Sequence, residues 1–185
     1  MKFAPIDLKP FVAKWNANWA ASADKQEHYT QSYAALCAFG ARVETAEDLM
    51  VLGHATYGWM PTILKDHENL KTANINAIRA GEVPDKPLLN TSWVGTSKLM
   101  HFLAPDVWPI WDSRIARHFG MVHRHQYDKR IAYSEYADFL GSEVGKHANP
   151  TDWGDLRFLE LCLFSDRLPK DEKNTTPKTP AADMA

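Results

Sequence analysis

Apolar residues recur at helical spacing along almost the whole chain, and nowhere do they alternate as a half-buried strand requires. Leu8, Phe11, Val12, Trp15 and Trp19 follow the i, i+3, i+4, i+7 pattern that gathers them on one core-facing stripe. Tyr29, Tyr33, Leu36 and Cys37 repeat it after a cap at Ser22 or Asp24. Thr45 and Asp48 read as a capping box opening a helix with Leu49, Leu52 and Tyr57, which Gly58 and Pro61 end. The spacing predicts a further helix over 69–80, stopped by Gly81. The stretch 82–90, with Pro84 and Pro87, is a connector where two small lobes can meet.

The second half keeps the same rhythm. Thr96 or Ser97 can cap a helix containing Leu99, Phe102 and Leu103 that ends before Pro105. Pro109-Ile110-Trp111 reads as extended, and Asp112 then caps a helix with Ile115, Ala116 and Phe119 that Gly120 stops. Tyr136, Phe139, Leu140 and Val144 mark another amphipathic helix. Thr151 or Asp152 precedes the nearly all-apolar run 156–164, a buried helix. There is no internal repeat. The expectation is an all-α domain over 1–168 with about eight helices, as one unit or two lobes around a cleft. The tail 169–185 has almost nothing to bury and is expected to be disordered.

Composition narrows the function classes. With 185 residues, 45% hydrophobic and 24% charged, the chain suits a folded domain and not a disordered one. No run approaches the ~20 apolar residues of a membrane span, and the start MKFAPIDLKP lacks a secretory apolar stretch, so the expected compartment is cytoplasmic. Cys37 and Cys162 stand alone, which removes disulfide frameworks and Cys-rich zinc or iron–sulfur sites, and no cofactor is expected.

The formal net charge is −2, which by itself argues against nucleic acid, but its distribution is uneven. In 114–130, Arg114, Arg117, Arg124, Lys129 and Arg130 face one acid, Asp128, making that window +4 (5 − 1) and the remainder −6. Such a strip can follow a phosphate backbone or simply be a solvated face. His118, His123 and His125 add charge below neutral pH. His123-x-His125 lacks a carboxylate or cysteine at ligand spacing, so no metal is assigned.

The segment 93–120, WVGTSKLMHFLAPDVWPIWDSRIARHFG, carries the chemistry. A glycine turn leads through Lys98 into a helix, an extended link follows, and an aspartate opens a helix bearing arginines. In these residues the chain resembles the helix-hairpin-helix superfamily of base-excision DNA glycosylases, particularly its 8-oxoguanine glycosylase-like branch. Val94-Gly95-Thr96-Ser97-Lys98 is similar to the family's Val-Gly-x-Lys hairpin, and Asp112-Ser113-Arg114-Ile115-Ala116-Arg117 to its Asp-x-His-x-x-Arg helix start. The hairpin's usual first glycine is absent. Lys98 lies one residue further from the glycine, a rotation of ~100° on a helix. Arg114 stands where the family commonly has histidine. The likeness covers 28 of the 185 residues.

The resemblance implies a DNA-binding protein that removes a damaged base, such as an oxidised purine, from duplex DNA. Asp112 would stabilise the sugar cation, and Lys98 would be the amine that forms a Schiff base in an AP-lyase step. In a first helical turn Lys98 would feel the positive helix end, which lowers its pKa usefully. Gly95, Thr96 and Ser97 would offer backbone N–H groups to a phosphate, and Arg114, Arg117 and Arg124 would contact the DNA backbone. Trp93, His101, Trp108 and Trp111 would line a base pocket.

Plainer readings stand beside these. Asp112 is also an ordinary N-cap, Lys98 a solvated lysine and Gly95 a turn glycine. Trp15 and Trp19 belong to the core by their spacing. Tyr57 and Trp59, at a turn, can wedge a duplex or pack as a lid. Two other functions remain open, a non-catalytic nucleic-acid or protein interaction module of the same fold and a helical small-molecule-binding protein unrelated to DNA.

Overall fold

The computed structural model describes residues 6–22, 27–60 and 62–166, with side chains outside 19–30. The expected roles of the Trp19 and Tyr29 side chains, the cap before the second helix, the Pro61 stop and the tail 169–185 lie outside the described residues. Within them the architecture is all-α. Nine α-helices succeed one another: α1 Lys9–Ser22, α2 Glu27–Gly40, α3 Ala46–Trp59, α4 Ile75–Arg79, α5 Trp93–Leu103, α6 Ser113–His118, α7 Arg124–Tyr127, α8 Arg130–Glu143 and α9 Asp155–Ser165. A 3₁₀ turn, Glu68–Thr72, precedes α4. The described residues contain no strand, only an isolated bridge between Leu89 and Ser92. None of their helices is long and apolar enough to cross a membrane.

Helix α5 is the hub, packing against α2, α3, α4 and α8. Every residue of it except Val94 is buried. Helix α9 covers α1, α6 and α8. The buried side chains form one continuous cluster from Leu8 and Trp15 through Leu99 and Trp111 to Phe158 and Leu163.

Several boundaries follow their local signals. Thr45 and Asp48 form the capping box at α3, with the Asp48 amide donating to Thr45 Oγ1 at 3.1 Å. Gly81 and Gly120 take φ values of +96° and +74°, which end α4 and α6 at no steric cost. Residues 108–112 belong to no helix, and Asp112, itself extended, caps α6 as its Oδ1 accepts from the Arg114 amide at 2.9 Å.

Three expectations are corrected. Helix α5 starts earlier than Thr96 or Ser97: Ser92 is its N-cap, its hydroxyl accepting from the Gly95 amide. The single helix over 69–80 is broken, because Asn74 turns extended and caps α4 through the Ala77 amide at 3.0 Å. Helix α9, Asp155–Ser165, follows Thr151 and Asp152 as expected, with Gly154 as its N-cap residue. Val144 is the exposed C-cap of α8 and not a core residue.

Candidate functional site

Lys98 on α5 and Asp112 before α6 converge. Lys98 Nζ donates to Asp112 Oδ2 at 3.4 Å, with 8% of the lysine side chain and 23% of the aspartate exposed. The lysine is therefore not the solvated residue its position allowed. It is also not in a first turn: α5 starts at Trp93, so Lys98 lies in the second turn, where the dipole effect has faded. Burial instead pushes its amine down from the ordinary lysine range, while Asp112 opposes that fall.

The link 108–112 is clamped from three helices, α5, α7 and α8, and this is what aims Asp112. Trp111 N donates to Ser97 Oγ at 3.0 Å, immediately beside the lysine. From α8, the Tyr133 and Tyr136 hydroxyls donate to the Pro109 and Ile110 carbonyls, each at 3.2 Å. Trp111 Nε1 donates to the Tyr127 carbonyl at 2.9 Å. Both tyrosine hydroxyls are held un-ionised by complete burial.

Two charged residues that the sequence reading passed over lie close by. Arg157 and Glu160 sit inside the apolar run of α9, and Arg157 Nη1 donates to Glu160 Oε2 at 2.5 Å. Their side chains are 10% and 2% exposed. The Arg157 guanidinium stacks 4.6 Å above the Tyr33 ring. Two charges of opposite sign three residues apart in a buried helix were the available signal.

The proposed phosphate-binding residues lie elsewhere than a surface hairpin. Gly95 is in the first turn of α5, and a Cβ there would come 2.5 Å from the Tyr57 hydroxyl. Thr96 and Ser97 are fully buried, Thr96 Oγ1 accepting from the Leu88 amide at 2.7 Å. The turn before α5 is 89–92, where Asn90 and Thr91 hold φ of +48° and +49°. Asn90 secures it by accepting from the Lys65 and Asp66 amides at 2.7 and 2.8 Å and donating to the Ile63 carbonyl at 2.9 Å. At the start of α5 the Trp93 amide donates to Asp128 Oδ1 at 2.5 Å.

The four expected pocket residues are core instead. Trp93, Trp108 and Trp111 are at most 4% exposed and His101 is fully buried. Trp93 stacks on Tyr133, and Trp108 Nε1 donates to the Ile78 carbonyl at 2.8 Å. His101 Nδ1 lies 2.6 Å from the Trp108 carbonyl, so Nδ1 carries the proton and Nε2 accepts from the Tyr33 hydroxyl at 2.8 Å. Burial pushes the His101 pKa down to about 3. Tyr57 is buried and Trp59 packs edge-on against Phe102, so neither forms an exposed turn wedge.

The basic strip lies on α6, α7 and the start of α8. Arg114 is exposed and stacks over Phe164 at 4.7 Å; Arg117 is half-buried. Arg124 pairs with Asp128 at 2.8 Å, and Arg130 donates to the Pro84 and Val83 carbonyls at 3.1 and 3.0 Å. His123 and His125 stack at 5.6 Å. Among the described residues no group of three or more His, Cys, Asp and Glu can hold a metal ion. A groove of about 680 Å³ lies beside the connector, lined by Asn74, Glu82, Lys86 and Arg130 among others, and does not include Lys98 or Asp112.

In comparisons with known proteins, no family model, curated protein or solved structure matches this chain.

Proposed function

We propose that the chain is a DNA-binding protein of the helix-hairpin-helix glycosylase type that excises a damaged base from duplex DNA. The observation that supports this reading is the pairing of a buried amine, Lys98, with a partly exposed carboxylate, Asp112, at 3.4 Å. The neutral Lys98 amine attacks the sugar C1′, and the glycosidic bond breaks with its electrons on the base. Asp112 opposes the positive charge that develops on the sugar. The proton shed by the alkylated amine passes through Asp112 to the departing base, leaving the sugar on Lys98. Arg114 and Arg117, on the helix that Asp112 caps, hold the DNA backbone.

Borohydride trapping tests this with duplexes carrying abasic or 8-oxoguanine sites. A covalent adduct that disappears in Lys98→Met is expected; no adduct across a lesion panel overturns the lyase step.

A second reading, a non-catalytic module of the same fold, is favoured by the cover over Lys98, which is only 6% exposed. It requires Asp112→Asn to bind DNA as the parent does. Loss of incision with an unchanged melting temperature rejects it.

A further inference from the structure

The groove beside the connector has a volume of about 680 Å³, in the range of sites that hold a ligand. Ile78 of α4 and Leu88, both buried, give it an apolar floor, and most of its other lining residues are polar or charged. One side is the connector 82–86, and other elements hold it in place. Arg130 of α8 donates from Nε to the Pro84 carbonyl at 3.1 Å and from Nη2 to the Val83 carbonyl at 3.0 Å. Asn69, in the 3₁₀ turn, donates from Nδ2 to the Pro87 carbonyl at 2.7 Å. With Pro84 and Pro87 fixing their own φ, a ligand meets a groove already formed, which lowers the ordering cost of binding.

Two asparagines of the lining are each half-used. Asn69 spends its Nδ2 on Pro87, which leaves Oδ1 as an acceptor. Asn74 spends its Oδ1 on the Ala77 amide at 3.0 Å, which leaves Nδ2 as a donor. One acceptor and one donor are what a peptide unit requires for its N–H and its C=O. Glu82 and Lys86 also line the groove, both are exposed, and neither joins an ion pair among the described residues. The groove thus presents one uncommitted charge of each sign. Arg130 adds little, because its guanidinium is engaged with two carbonyls and lies 3.9 Å from Asp85.

We propose that this groove binds an extended peptide segment of a partner protein, one that carries an acidic and a basic side chain. Asn69 accepts from its backbone N–H, Asn74 donates to its C=O, and Glu82 and Lys86 pair with the basic and the acidic side chain. A nucleic acid fits less well, because its phosphates would meet Glu82 and Asp85. A neutral sugar would leave both charges unused. The groove contains neither Lys98 nor Asp112, so this binding is independent of the chemistry proposed for that pair.

Phage display of random short peptides against the full chain supplies the probes. Selected sequences are expected to carry one acid and one base at a fixed spacing. Titrated into 15N-labelled chain, the strongest of them, as a synthetic peptide, should shift the side-chain amide signals of Asn69 and Asn74. Glu82→Lys and Lys86→Glu alter exposed residues and should leave the melting temperature unchanged. Each should weaken the peptide about tenfold, one attraction being lost and one repulsion gained. The double variant should instead prefer a peptide with its two charges exchanged. Failure to select any peptide, shifts confined to other parts of the chain, or an affinity unmoved by both reversals overturns the proposal. Neutral oligosaccharides or duplex DNA that shift the asparagine signals where no peptide does also overturn it.

Discussion

The Ser97 hydroxyl accepts the Trp111 amide at 3.0 Å, and each residue is the sequence neighbour of a member of the Lys98–Asp112 pair. One buried hydrogen bond thereby sets the register between α5 and the link that carries the carboxylate. Ser97→Ala leaves the Trp111 amide unsatisfied and is expected to cost about 1–3 kcal/mol. Urea unfolding measures it, and an unchanged midpoint would show that the tyrosine clamps suffice.

Lys98→Met and Asp112→Asn are expected to move stability in opposite directions. Methionine fills the lysine's buried volume without a charge, while Asp112 keeps its α6 cap and its water, so the melting temperature should hold or rise. Asparagine preserves the cap acceptor but strands a buried ammonium, so Asp112→Asn should be the less stable variant. Calorimetry of the two variants decides; a large loss in Lys98→Met would contradict the assignment.

His101 predicts acid sensitivity. Its folded pKa of about 3 lies below the ordinary 6.5, so between those values the unfolded chain binds the proton and the folded chain does not. The contribution is fully present above pH 6.5 and is lost as pH falls toward 3, amounting to several kcal/mol. His101→Gln should be less stable than the parent at pH 7 and lose part of that disadvantage by pH 4.5. Parallel acid-unfolding curves for the two would refute the account.

Gly95→Ala places a Cβ 2.5 Å from the Tyr57 hydroxyl and is expected to destabilise by about 1–3 kcal/mol. Tyr57→Phe removes the offending oxygen, so the double variant should recover part of that loss. A double-mutant cycle on melting temperatures with no coupling would place the glycine's importance elsewhere.

If DNA runs along α6, Arg114→Ala and Arg117→Ala should each flatten the dependence of log affinity on log salt by about one phosphate contact. Arg124→Ala should flatten it less, because that guanidinium is already paired with Asp128. Fluorescence anisotropy across a salt series gives the slopes. Equal, unchanged slopes in all three would remove the strip from any phosphate interface.

What could be read from the chain depended on whether the deciding interaction was local. Asp112 was legible because a cap sits next to the helix it starts, and the Thr45–Asp48 box for the same reason. The burial of Thr96, Ser97 and Lys98 was not, since it arises from four helices closing around α5. Polar residues there looked like a surface, yet their partners are the Leu88 amide, the Trp111 amide and Asp112. Trp93, Trp108 and Trp111 read as pocket walls because they lie beside Lys98 and Asp112 in the sequence. They are core residues, each completing contacts from another element. Arg157 and Glu160 were hidden by the apolar residues around them.

The carboxylate of Asp128, bound to the Trp93 amide at 2.5 Å, has a consequence for any anion drawn to the start of α5. That position already has an occupant tethered to the same chain, at an effective concentration no free ligand matches. A nucleic-acid phosphate would bind there only by exchanging with Asp128, whose pairing with Arg124 would then also be broken. The start of α5 thus behaves as a site with a resident internal competitor.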